Sequence, residues 1–141
     1  MESRPREYAA QDIVVTYDVV RCIHAAECIR GLPQVFDTDK RPWIQPQQAT
    51  ADELAAQIVR CPSGALHFRR LDGGAEEIPD PSVTVTPVTN GPLYLRGDIG
   101  LRLPGGDEVS RETRVALCRC GHSENKPFCD NSHERVGFEA Q

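Results

Sequence analysis

Cys118-Arg119-Cys120-Gly121-His122-Ser123-Glu124-Asn125-Lys126-Pro127-Phe128-Cys129-Asp130-Asn131-Ser132-His133 carries half of the chain's six cysteines and two of its four histidines. The spacing is C-x-C-x8-C-x3-H. Thiolate sulfur is a soft ligand and suits iron–sulfur clusters. Two cysteines two apart grip one iron from an extended loop. Cys129 and His133, four apart, fall on one face of a helical turn and grip a second iron. Asp130 is placed to cap that turn, and its charge suits a helix N-terminus. Structural zinc also takes sets of three cysteines and one histidine, but usually through C-x2-4-C knuckles. His122 reads as an exposed histidine or a neighbour of the ligands, since four donors exist without it.

The sequence leading into this array is β-rich. Val83-Thr84-Val85-Thr86 alternates as a strand, and Leu93 to Leu95, Ile99 to Leu103 and Thr113 to Leu117 read as further short strands. Leu103-Pro104-Gly105-Gly106-Asp107 is a turn between two of them. Residues 73–81, Gly73-Gly74-Ala75-Glu76-Glu77-Ile78-Pro79-Asp80-Pro81, are glycine, proline and acid and read as a linker.

Before the linker the pattern changes. Residues 1–10 read as a flexible lead. Ile13-Val14-Val15-Thr16-Tyr17 is a β-branched run and predicts a strand. A loop with Cys22 and Cys28 follows, and Ala26 to Leu32 reads as a short helix stopped by Gly31 and Pro33. Val35-Phe36 and Trp43-Ile44 predict short strands around a polar turn. Thr50-Ala51-Asp52-Glu53 is a capping box, after which Leu54, Ala55, Ile58 and Val59 share one helical face. Cys61-Pro62-Ser63-Gly64 ends that helix, and Leu66-His67-Phe68-Arg69 closes the module. Residues 11–71 therefore read β-α-β-β-α-β, with cysteines near both helices. His67 carries no assigned chemistry.

The chain is 141 residues, 39% hydrophobic and only 6% aromatic, with 11 Gly and 11 Pro. That suits two small loop-rich units, which bury a small share of their surface and often need a metal to hold together. A net charge of −5 argues against nucleic acid as a partner. The acid excess is concentrated before residue 80, where it can steer encounter with a protein partner. No run of about 18 apolar residues exists to span a membrane, and Met1 to Glu7 lacks a signal-peptide core, so a cytoplasmic protein is expected. In that compartment cysteines serve metals or redox chemistry more often than disulfides. There is no G-x-G-x-x-G, P-loop or nucleophile–base array, so the chain is not expected to be an enzyme.

The C-terminal stretch resembles the CDGSH iron–sulfur domain of the mitoNEET type, whose pattern is C-x-C-x2-[ST]-x3-P-x-C-D-G-[SAT]-H. Cys118, Cys120, Ser123, Pro127, Cys129, Asp130, Ser132 and His133 match; Asn131 replaces glycine. Asn is common among non-glycine residues at positive φ, so the turn is expected to survive. The resemblance covers about residues 91–138. It implies a [2Fe–2S] cluster on Cys118, Cys120, Cys129 and His133, and a possible homodimer. A neutral imidazole in place of a thiolate raises the reduction potential, as in Rieske centres. Its far nitrogen couples potential to pH, and protonation of the ligating nitrogen makes the cluster acid-labile.

On the ferredoxin pattern C-x2-C-x2-C with a further C-P, Cys22 and Cys28 are the first and third ligands and Cys61-Pro62 the last. The second falls on Ala25, which cannot bind iron. A three-cysteine site favours [3Fe–4S]; a [4Fe–4S] cluster needs a fourth donor, and His24 or an oxygen ligand can supply it. The bland role for His24 is a hydrogen bond to a cluster sulfur. Residues 12–70 also resemble the divergent single-cluster ferredoxin family, through Cys22-Ile23-His24 to Cys28, Trp43-Ile44 and Cys61 to Leu66. The expected fold class is α+β: a ferredoxin-like module at 11–72, a linker at 73–81 and a β-rich CDGSH-type module at 82–141. The expected function is one-electron transfer between a reductase and an acceptor. The alternative is cluster transfer or redox and pH sensing.

Overall fold

The computed structural model describes residues 5–141. Both helices and strands are present, so the fold is α+β, built on two antiparallel three-stranded sheets. The chain divides into two compact units; the first ends at Glu77 and the body of the second is Ile78–Gln141.

In the first unit the sheet order is β1-β2-β3, with β1 at Arg6–Ala9, β2 at Ile13–Tyr17 and β3 at Leu66–Arg70. Strand β2 is central and buried along almost its whole length, which is why its sequence is a continuous β-branched run. Strand β1 corrects the expected flexible lead. Arg6 pairs with Tyr17 and Ala9 with Val14, and Tyr8 and Ala10 pack on the core. Its local sequence is not strongly β-forming; the pairing with β2 supplies what propensity does not. The part of the expected lead at residues 1–4 lies outside the described residues.

Helix α1 is Glu27–Gly31 and helix α2 is Ala51–Ile58. The capping box forms as expected. Thr50 accepts from the Glu53 amide and Glu53 from the Thr50 amide, both at 3.1 Å, a motif worth about 1 kcal/mol. Helix α2 buries Ala51, Leu54 and Ile58, and burying a Leu or Ile stabilises by about 2 kcal/mol each. These side chains meet Ile13, Val15, Val35, Phe36, Ile44 and Leu66 in one core. Gln57 on α2 donates to the Glu27 carbonyl at 2.7 Å and ties the helices together. The two strands expected at Val35-Phe36 and Trp43-Ile44 amount to one bridge, Phe36 to Ile44. The side chains reach the core, but the polar turn between them leaves too few residues for a ladder. The observed order is thus β-β-α-α-β rather than β-α-β-β-α-β. Residues of the expected linker fold back on β3. Glu76 accepts from the Arg70 amide at 2.8 Å, and Glu77 meets His67 at 3.4 Å.

In the second unit β4 is Thr84–Pro87, β5 Leu93–Leu101 and β6 Ser110–Leu117, in the order β4-β5-β6. The expected strands at Leu93 and Ile99 are one strand with a bulge between Arg96 and Ile99. Gly97 makes this possible: its φ is +139°, and a Cβ there would stand 2.8 Å from the Val83 Cα. A short helix α3, Ser132–Arg135, follows the cysteine loop. Among the described residues no helix is long and apolar enough to cross a membrane.

Candidate metal centres

Strand β6 delivers Cys118 at its end, and the loop that follows returns alongside it. Leu117 bridges Phe128, the Cys118 amide donates to the Pro127 carbonyl at 2.8 Å, and the Cys129 amide donates to the Ala116 carbonyl at 2.8 Å. This antiparallel return brings together cysteines eleven positions apart. Within the loop Ser123 donates to the Phe128 carbonyl at 2.6 Å and accepts from the Asn125 amide at 3.0 Å. Asp130 accepts from the Glu124 amide at 2.9 Å and the Ser132 amide at 3.0 Å.

The donors come in two pairs. Cys118 Sγ and Cys120 Sγ are 3.9 Å apart; Cys129 Sγ and His133 Nδ1 are 3.6 Å apart. Two thiolates bound at about 2.3 Å to one tetrahedral metal stand about 3.8 Å apart, and a thiolate and an imidazole nitrogen about 3.6 Å. Each pair therefore has the spacing of donors that share one metal atom. Among the described residues no three or more His, Cys, Asp or Glu side chains are gathered as for a metal ion. All six cysteines are free thiols.

The expected shared helical turn is corrected. Cys129 lies ahead of α3, and Asn131 at φ 70° breaks the chain between them. The side chains meet because of that left-handed residue rather than through helical periodicity. Asn131 takes the glycine-like conformation expected of it. The Asp130 side chain, rather than that of the N-cap residue Asn131, accepts from the first amide of α3, that of Ser132.

Backbone amides surround the sulfurs. Gly121 donates to Cys118 Sγ at 3.3 Å, His122 to Cys120 Sγ at 3.4 Å and Asn131 to Cys129 Sγ at 3.4 Å. Burial pushes the Cys118 thiol up, but the amides of Ser123, Gly121 and His122 and the Cys120 thiol outweigh it, and the net direction is down. Burial dominates at Cys129 and raises it, helped by Asp130 and by the Cys118 and Cys120 thiols. At Asp130 burial works upward, but hydrogen bonds from Ser132, Glu124 and Ser123 hold the carboxyl below its usual range. His122 is exposed, with Nδ1 2.9 Å from the Cys120 carbonyl.

Sequence reading missed Arg119. Its guanidinium donates to the carbonyls of Gly91 at 2.9 Å, Val88 at 2.6 Å and Gln141 at 2.8 Å. It also lies 5.3 Å over the Phe138 ring. The signal was available. In an extended C-x-C the middle side chain points away from the side its neighbours share, so Arg119 faces the scaffold and pins the loop to it.

The first unit holds the other three cysteines. Asp18, buried, accepts from the Val20 amide at 3.0 Å and shapes the turn from β2 to Cys22. Cys22, Cys28 and Cys61 are each half-buried against the same core. Burial pushes the Cys28 thiol up to about 11, followed by the nearby Cys61 and Cys22 thiols, so the three stand within electrostatic reach of each other. Tyr17 is raised well above its ordinary value, first by burial and then by a hydrogen bond with Cys22. His24 is exposed and lines the same cavity as Cys22 and Cys28. Both His24 (φ 56°) and Ala26 (φ 63°) adopt left-handed backbone. Ala25 is half-buried and has no donor atom to offer.

A strand end with a returning loop, two donor pairs at single-metal spacing and a second thiol trio on a small core define a protein with two separate candidate thiolate metal sites. Residues 8–71 match the family described as a divergent 4Fe-4S mono-cluster, and residues 90–134 match the one described as an iron-binding zinc finger of CDGSH type. Over 64 residues the chain is 34% identical to the uncharacterized protein YjdI of Escherichia coli (strain K12), a match covering 45% of this chain and 84% of that relative. The same figures hold for YjdI of Escherichia coli O157:H7. The chain belongs to the divergent 4Fe-4S mono-cluster family and carries a CDGSH-type domain behind it.

Proposed function

We propose that the chain is a one-electron carrier, not an enzyme. In this reading Cys118, Cys120, Cys129 and His133 hold a [2Fe–2S] cluster. Cys22, Cys28 and Cys61 hold a [3Fe–4S] cluster, or a [4Fe–4S] cluster with His24 or an oxygen ligand completing it. Bound clusters supply the redox change; the chain's own residues hold and tune them. The observation that supports the reading is the pairing at 3.9 and 3.6 Å, the spacing expected if each pair shares one iron. The amides on the three sulfurs stabilise added negative charge, which favours the reduced state. His133 turns Nδ1 to Cys129 and leaves Nε2 as the nitrogen for a proton. The partners are a reductase and an acceptor, both redox proteins.

The test is repeated reduction and air-free reoxidation of the full chain with iron and sulfide assayed after each cycle, in the presence of an apo-ferredoxin. A carrier keeps its iron and returns to the same spectrum. Iron and sulfide appearing in the apo-ferredoxin would contradict the carrier reading and support cluster transfer.

A further inference from the structure

Past α3 the chain reverses at Gly137, where φ is +67°. The Phe138 amide then donates to the His133 carbonyl at 3.0 Å, the six-to-one bond of a glycine-ended helix. Residues 138–141 are thereby tied to the backbone of a proposed ligand.

The same segment is held from its other side. Ala140 exchanges two hydrogen bonds with Asn90: its amide donates to Asn90 Oδ1 at 2.9 Å, and its carbonyl accepts from the Asn90 amide at 2.6 Å. Arg119 reaches the segment from between Cys118 and Cys120. Nη1 donates to the Gln141 carbonyl at 2.8 Å and Nη2 to the Ala140 carbonyl at 3.4 Å, while the guanidinium lies 5.3 Å over the Phe138 ring. Nε and Nη2 also donate to the Gly91 and Val88 carbonyls, in the turn between β4 and β5. A planar guanidinium presents five donors at fixed angles, so it can hold the turn and the segment together.

This arrangement connects the two donor pairs. Cys129 is tied to β6 directly, through its own amide. His133, four residues on, is joined to the cysteine pair through Phe138, the segment behind it and Arg119. Residues that orient a ligand without touching the metal change metal affinity by about 10- to 100-fold.

We propose that Arg119 is a positioning residue for His133: by holding residues 138–141 against the Cys118–Cys120 loop, it fixes where His133 stands and so slows departure of the cluster. The proposal rests on the [2Fe–2S] reading of Cys118, Cys120, Cys129 and His133.

The experiment uses the full, iron-loaded chain at one pH with an excess of chelator. Timed samples are reduced and frozen, and the [2Fe–2S] signal and its histidine-nitrogen coupling are read by pulsed electron paramagnetic resonance. Arg119→Gln should speed loss of the signal by about tenfold, and should spread the nitrogen coupling over a wider range before any loss. Asn90→Gly suits the left-handed backbone, since Asn90 stands at φ 57°, and it changes no charge. It should move both readouts the same way by a smaller factor, because it loosens the same segment. Faster loss with an unchanged nitrogen coupling would make Arg119 a general stabiliser of the fold and overturn the proposal. Parent-like behaviour of Arg119→Gln would overturn it too. So would a parent-like Asn90→Gly, which would confine the effect to the cysteine loop or to charge. In each of these cases the cluster reading stands; an unaltered chain with no [2Fe–2S] signal would instead defeat that reading, and the proposal with it.

Discussion

His133 Nδ1 stands 3.6 Å from Cys129 Sγ, and its chemistry separates this centre from an all-thiolate one. In the proposed [2Fe–2S] assignment a neutral imidazole ligand makes the site less negative than a fourth thiolate, and proton uptake coupled to reduction makes the potential fall as pH rises. His133→Cys should lower the potential at every pH and flatten its pH dependence, read by potentiometric titration of the [2Fe–2S] signal. A variant with the parent's potential–pH curve would remove His133 from the ligand set. At this scale the pairing of Cys118 with Cys120 and of Cys129 with His133 was legible because these residue types at fixed spacing are written directly in the chain. The backbone that presents them was not. Left-handed conformations at His24 and Ala26 cost roughly 1–2 kcal/mol for a residue with a Cβ, and no local preference of alanine announces one. Asn131 was readable only because asparagine tolerates that region and stands where glycine was expected.

At the scale of elements, strand β5 shows what position adds to propensity. Its two apolar stretches read as separate strands because Gly97 and Asp98 interrupt the alternation, yet the break is a bulge within one strand. Gly97→Ala places a Cβ against the backbone of Val83 at a φ that L-residues rarely adopt. It should destabilise the second unit by about 2 kcal/mol or more, seen as a lowered denaturant midpoint. An unchanged midpoint would mean that β4 moves aside freely. Helix α2 lies at the other extreme. Its cap and the burial of Leu54 and Ile58 were local signals and formed, whereas the helix ends at Ile58, ahead of the expected stop at Cys61-Pro62, and leaves Ala55 and Val59 only half-buried. Strand β1 was invisible for the opposite reason, since its pairing depends on β2 and on Tyr8 reaching the core. The bridge between Phe36 and Ile44 kept the expected burial but not the expected ladder.

For the whole molecule, the two units differ in what holds them. The first has a core of Ile13, Val15, Phe36, Ile44, Leu54, Ile58 and their neighbours. In the second, the buried hydrophobic side chains are Ile99, Val115, Ala116 and Cys129, the last a proposed ligand. A core that thin gives a small domain little stability, and metal binding supplies the rest. Iron removal by a chelator should therefore collapse the amide spectrum of the second unit at a lower chelator dose than the first. Retention of the second unit's dispersed amides without iron would show that its loop hydrogen bonds suffice.

The claim beneath all of this is that both cysteine sets hold iron–sulfur clusters. Electron paramagnetic resonance of anaerobically purified full chain, as isolated and after reduction, tests it most directly. Oxidised [2Fe–2S] and [4Fe–4S] centres are silent, whereas an oxidised [3Fe–4S] centre is not. The account predicts a coloured sample with a signal on reduction that Cys129→Ser alters. A signal before reduction should come from the centre at Cys22, Cys28 and Cys61 if Ala25 leaves one corner without a ligand. A colourless sample, silent in both states, would contradict the account and return the thiols to zinc.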